Sequence, residues 1–188
     1  MGIEKWVNYI ANHKVKAFWI ALLVMIVAAM GMRPSSSCLI TTSTPKAIVD
    51  LELAFDQEEA LRIKKLWSSN GCGNSLAFGS NGLEAAVVNT FLDFPFLLSY
   101  TVFLIVLVAL TQKRSSSNGG ATTILVSGAL LAGLLDVVEN ILMLIFITIH
   151  EIPSYTFAIA ASLKFGIILV LIISIIWRLV KVLVFLKV

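Results

Sequence analysis

The chain has 188 residues, of which 59% are hydrophobic and 13% charged, with a formal net charge of +3 and a mean hydropathy of +0.95. That composition excludes an ordinary soluble domain of this size and requires a bilayer. It also excludes a nucleic-acid-binding surface, because the basic residues flank apolar stretches and have no folded basic domain around them.

The first segment, residues 1–16, places Ile3, Trp6, Val7 and Ile10 on one helical face, which suits a helix lying at the cytoplasmic interface. The start Met1-Gly2 is not a myristoylation signal, since Trp6 stands where Ser or Thr is required. Ala17–Met32 is the first candidate span, with Pro34 and the serines after it as its stop. Together with Ala29-Met30-Gly31, the basic start and apolar run also fit a cleavable signal peptide, a competing reading of residues 1–31.

Residues 33–90 form the one segment that could fold in water. The run 47–55 alternates, with Val49, Leu51, Leu53 and Phe55 on one side and Asp50 and Glu52 on the other, which predicts a short strand or an extended stretch on the membrane surface. Asp56 with Glu59 resembles a capping box, and Ala60, Ile63, Leu66 and Trp67 follow at helical spacing up to the stop at Asn70-Gly71. Residues 71–82, rich in Gly, Ser and Asn, predict a mobile loop. Cys38 and Cys72 are the two cysteines of the chain and fall in this segment, so an oxidising compartment would pair them as a disulfide. A redox role lacks a Cys-x-x-Cys pair.

Three more spans follow: Phe91–Leu110, with an earlier start near Leu83 and a bend at Pro95 as options, Thr123–Ile149, and Tyr155 to about Leu183. A cytoplasmic linker at 111–122 and an outer turn at 150–154 join them, leaving 184–188 as a tail. Eight basic residues, Lys5, Lys14, Lys16, Lys113, Arg114, Arg178, Lys181 and Lys187, gather on one side against a single acid, Glu4. Residues 33–92 on the other side hold five basic and six acidic residues. The positive-inside rule then predicts both termini in the cytoplasm and loop 33–90 outside. The expected fold is an all-α four-helix transmembrane bundle with a loop subdomain of one short strand and one amphipathic helix.

Ionisable groups inside spans are costly to desolvate and mark candidate functional residues. Asp136, Glu139 and Asn140 share one face of the third span, and stepping back by fours from Asp136 reaches Ala132 and Gly128, a small-residue face suited to close helix approach. At about 1.5 Å per residue, Glu139 lies roughly 15 Å and Lys164 roughly 13 Å from the outer helix ends. A Glu139 to Lys164 ion pair is therefore predicted, with Asn140 or Tyr100 completing its hydrogen bonding. Asp93 approaches the same zone, while Asp136 lies deeper with no evident cation and is expected to be protonated or hydrogen-bonded.

This cluster reads as a lock on helix register, as a ligand or proton-handling site, or as a docking point for another membrane protein. His150 and Glu151 fit a wetted turn better than a metal site. No metal-ligand spacing, phosphate-cradling loop or nucleophile motif is present, so no cofactor is implied.

The four spans and the large first loop, with Trp67 shortly before Cys72, superficially resemble the claudin-like tetraspan layout, without its paired cysteines near a Gly-Leu-Trp. The stretches Asp50-Leu51-Glu52-Leu53-Ala54-Phe55, Asp93-Phe94-Pro95-Phe96 and Asp136-Val137-Val138-Glu139-Asn140 look more like those of uncharacterised bacterial four-helix integral membrane proteins. That resemblance covers most of the chain and implies location in a bacterial inner membrane but no activity. The leading expectation is a non-enzymatic module that binds membrane lipid or another apolar ligand, or an accessory subunit beside other membrane proteins. A membrane enzyme using Glu139 or Asp136 with Lys164 is the first alternative, and proton or ion translocation the second.

Overall fold

A computed structural model describes residues 13–72, 80–111, 119–149 and 152–185. The elements in chain order are α1 (Lys14–Leu39), α2 (Ile48–Glu52), α3 (Gln57–Ser69), α4 (Gly82–Leu110), α5 (Gly119–Thr148) and α6 (Tyr155–Phe185). Four of these, α1, α4, α5 and α6, are long and apolar enough to cross a membrane. The described residues form an all-α bundle, with a lone bridge between Gly71 and Asn81 as the nearest thing to a strand. Residues 1–12, where an interfacial helix is expected, and the His150-Glu151 turn lie outside the described residues, as do most of the mobile-loop and linker stretches.

Helix α1 does not stop before Pro34 as expected but runs five residues past it, to Leu39. Proline removes one intrahelical hydrogen bond and ordinarily breaks a helix. Here side chains bind the backbone around it: Ser35 donates to the Met32 carbonyl and Ser37 to the Pro34 carbonyl. From α4, Asn89 donates to Met32 O and to the hydroxyls of Ser35 and Ser36. Helix α4 takes the earlier of its two possible starts: Asn81 caps it by accepting from the Glu84 amide, and Pro95 is absorbed within it.

The long helices pack in chain order, α1 on α4, α4 on α5 and α5 on α6, with no comparable packing between α1 and α6. The row therefore has a crevice between its two end helices. Helix α1 is chiefly lipid-facing, since 6% of its apolar window is buried against 28% or more for the other spans. Gly128 on α5 sits against Leu171 and Ile167 of α6, the close approach expected of that face.

The segment between α1 and α4 caps one end of the bundle. The predicted strand at 47–55 is instead the five-residue helix α2, which follows Ala47 at a positive φ of 54°. One helical turn of apolar and acidic residues alternates as plausibly as a strand does, and tertiary contact decided between them. Helix α3 forms as expected, with Asp56 accepting from the Glu58 amide, and buries Ala60, Ile63 and Trp67.

The cap is tied down at several points. Trp67 Nε1 and Thr44 Oγ1 both donate to the carbonyl of Leu39, one of the C-terminal carbonyls of α1 left without a helical partner. Cys38 and Cys72 form a disulfide with Cα atoms 5.2 Å apart. On the far side, Gln57 accepts from the Ser154 amide and Lys64 Nζ donates to the carbonyls of Phe146 and Ile147, capping the C-terminal end of α5.

Candidate functional site

The site lies where α4, α5, α6 and α2 converge beneath the cap, and Lys164 of α6 is its centre. The short connection from α5 to α6 makes them antiparallel neighbours, and the long lysine stem carries its ammonium to the acidic face of α5. Nζ lies 2.8 Å from Asp136 Oδ1, 2.7 Å from Glu139 Oε2 and 3.9 Å from Glu52 Oε2. Asp136 and Glu139 are about one helical turn apart, so a single ammonium between them reaches both. The same nitrogen sits 4.7 Å from the centre of the Phe165 ring.

Asp136, expected to lack a cation, thus shares Lys164 with Glu139. The depth estimate placed it too far from the lysine because it counted from Cα positions and ignored the reach of the side chain. The hydrogen bonds expected to complete the Glu139 to Lys164 pair go elsewhere. Tyr100 Oη donates to Asp136 Oδ2 at 2.6 Å, and Asn140 Nδ2 donates to Asp93 Oδ2 at 2.6 Å. Asp93, Tyr100, Asp136, Glu139, Asn140 and Lys164 all meet in this one cluster, whereas the Cys38–Cys72 disulfide lies apart in the cap.

Glu52 belongs to the cluster and was missed, because the alternating pattern put it on a wetted face. It is 7% exposed, held inward by the single turn of α2, and burial pushes its carboxyl up to about 7 despite the nearby Lys164 ammonium. No local signal marks it, since its partner stands more than a hundred residues later. Lys64 and Asn89, buried polar residues outside the cluster, were missed for the same reason.

Four carboxyl groups surround one ammonium, so full ionisation would leave the cluster at 1 − 4 = −3 in a low-dielectric setting. That charge is too costly to bury uncompensated, so the cluster favours further positive charge beside it. Neither oxygen of Glu139, a fully buried residue, accepts a well-aligned hydrogen bond among the described residues. No group of three His, Cys, Asp or Glu side chains among them is placed to hold a metal ion.

The polar cluster forms one wall of a chamber of about 460 Å³. Glu52, Asp93, Tyr100, Asp136 and Lys164 face it, and the remaining lining is apolar: Met25 and Met32 of α1, Ile48 and Val49 of α2, Phe103 and Leu104 among others of α4, and Phe165, Ile168 and Ile172 of α6. The chamber thus occupies the crevice between α1 and α6. Toward the other end of the bundle, Leu104, Val108, Val126, Ala129, Leu171 and Ile175 pack into an apolar plug. Comparison with protein-family models, with curated proteins and with solved structures gives no match.

Proposed function

We propose that this membrane protein binds an amphipathic, lipid-like molecule, which enters sideways between α1 and α6 and sets its polar head against the Lys164 cluster. The observation that carries this reading is the chamber: its volume falls within the usual range of small-molecule sites, its lining is mostly apolar, and its polar groups are confined to one wall. A buried lock on helix register needs no cavity beside it. The distribution of basic residues supports an orientation with both termini in the cytoplasm and the α2–α3 cap outside, so that the ligand is drawn from the outer leaflet of a bacterial inner membrane.

The test is purification in mild detergent followed by native mass spectrometry and lipid extraction. The expected result is a stoichiometric co-purifying amphiphile that disappears in Val49→Trp, which fills part of the chamber without removing a charged group. A protein that is always free of bound lipid, and whose stability is unchanged by Val49→Trp, overturns the proposal.

A second reading, chemistry on the same molecule, is favoured by one feature: Glu52, Asp93 and Asp136 face the chamber, so a ligand would lie directly against carboxyl groups. Turnover of an extracted lipid, lost in Asp136→Asn with binding retained, would establish it. Proton or ion translocation is disfavoured by the apolar plug, and proteoliposome flux equal to that of empty vesicles is the expected result.

A further inference from the structure

The chamber's polar wall distinguishes between kinds of head group, because its donors and acceptors are unequally used. The Lys164 ammonium is engaged by Asp136, Glu139 and Glu52. Tyr100 spends its proton on Asp136, and an Asn140 amide hydrogen goes to Asp93. Each of these donors is therefore already committed to a carboxyl group. Acceptors outnumber donors: Asp93, only partly buried and facing the chamber, has one oxygen engaged by Asn140, and Glu52, which also faces it, stands 3.9 Å from the Lys164 ammonium.

We infer that the chamber selects a long-chain amine, a single apolar tail carrying a protonated nitrogen, over amphiphiles with phosphate or carboxylate heads. This inference rests on the amphiphile-binding reading above and names the head group for it. An ammonium brings donors to a wall whose Lys164 and Tyr100 donors are already engaged among the described residues, and supplies positive charge to a cluster with excess carboxyls. It can reach Asp93 at the chamber surface without disturbing the Lys164 contacts. A phosphate or carboxylate brings neither: it must displace a carboxyl from Lys164 and leave that group buried beside a second anion. An alcohol supplies one donor without charge and should rank between the two.

The experiment uses the full chain in detergent at neutral pH, titrated in native mass spectrometry with hexadecylamine, hexadecanol and hexadecyl phosphate, alone and in competition. The expected order is amine, then alcohol, then phosphate, with the amine binding at least about tenfold more tightly than the phosphate, a difference of about 1.4 kcal/mol. Asp93→Asn should bring the amine and phosphate affinities closer together, while Val49→Trp should weaken all three probes. Phosphate binding equal to or tighter than amine binding overturns the inference. If all three probes bind alike and Val49→Trp weakens them, the amphiphile-binding reading stands and the head-group inference falls. If none binds, or Val49→Trp leaves binding unchanged, both fall.

Discussion

Lys164 holds together groups that would otherwise repel. Removing it leaves Asp136 and Glu139 buried without a cation, and breaking a buried pair typically costs about 3–5 kcal/mol. Lys164→Met should therefore lower thermal stability sharply in a detergent melt. Because the ammonium is shared, adding Glu139→Leu should recover only part of the loss, and Asp136→Asn on top should recover more. Complete recovery in the first double variant would show that Asp136 and Glu52 do not depend on Lys164. Glu52 makes a separate prediction. Its folded-state carboxyl is raised from 4.5 to about 7, so the stability it contributes is complete below about 4.5 and is lost as the pH rises through about 7. Asp93, Asp136, Glu139 and Lys164 face it from α4, α5 and α6. Melting temperature should fall between about pH 4.5 and about pH 7, and Glu52→Gln should flatten that fall, since glutamine has no proton to lose over that range. An unchanged slope in Glu52→Gln would assign the effect to another group.

Helix α4 is the element on which the others depend, packing on both α1 and α5 and contacting the cap. Near its start, Asn89 donates to α1 on both sides of Pro34, at Met32, Ser35 and Ser36. Asn89→Ala takes its amide donor from two serine hydroxyls and from the Met32 carbonyl, which still accepts from Ser35, and a loss of roughly 1–3 kcal/mol is expected from thermal melts. The cysteines are unaffected by that change, so non-reducing electrophoresis should still report the disulfide. Gly82 opens the same helix against Trp67, where an added Cβ would lie 2.9 Å from the carbonyl oxygen and 3.1 Å from Cα of that residue. Those atoms are backbone and cannot swing aside. Gly82→Ala should thus destabilise by roughly 1–3 kcal/mol through overpacking, although alanine is the better helix former by about 1 kcal/mol. A stabilised Gly82→Ala would mean that α3 and α4 separate freely at this point.

The described residues form a row of four long helices whose crevice is roofed by α2 and α3. The disulfide closes a loop of sequence separation 34, and in the chain-entropy account such a bridge is worth about 3–4 kcal/mol. Reduction, or Cys38→Ser with Cys72→Ser, should lower the melting temperature and loosen the roof, and any bound amphiphile should exchange faster. Equal melting temperatures with and without reductant would show that Trp67, Lys64 and Gln57 hold the cap without it.

The four spans, the boundaries of α3 and the pairing of the cysteines were legible in the sequence, because each rests on a local signal: a long apolar run, a capping pair before a 3.6-residue period, or two thiols within one loop. The convergence of Asp93, Tyr100, Asp136, Glu139, Asn140 and Lys164 was partly legible from helical spacing and depth, which place Cα atoms well. The Glu139 to Lys164 pair was legible too, but the other pairings were not, because a lysine stem spans a full helical turn and reaches acids that the sequence cannot rank. Glu52 entered the cluster only through tertiary structure: one turn of helix is too short to carry a period, and the ammonium it faces arrives on the last span. The bonds that tie α1 down on both sides of Pro34 come in part from the same source, tertiary contact with an asparagine of a different helix. Hydropathy is local and places helices in a membrane. Hydrogen bonds and ion pairs between distant segments are not, and here they set the chamber, its polar wall and the roof above it.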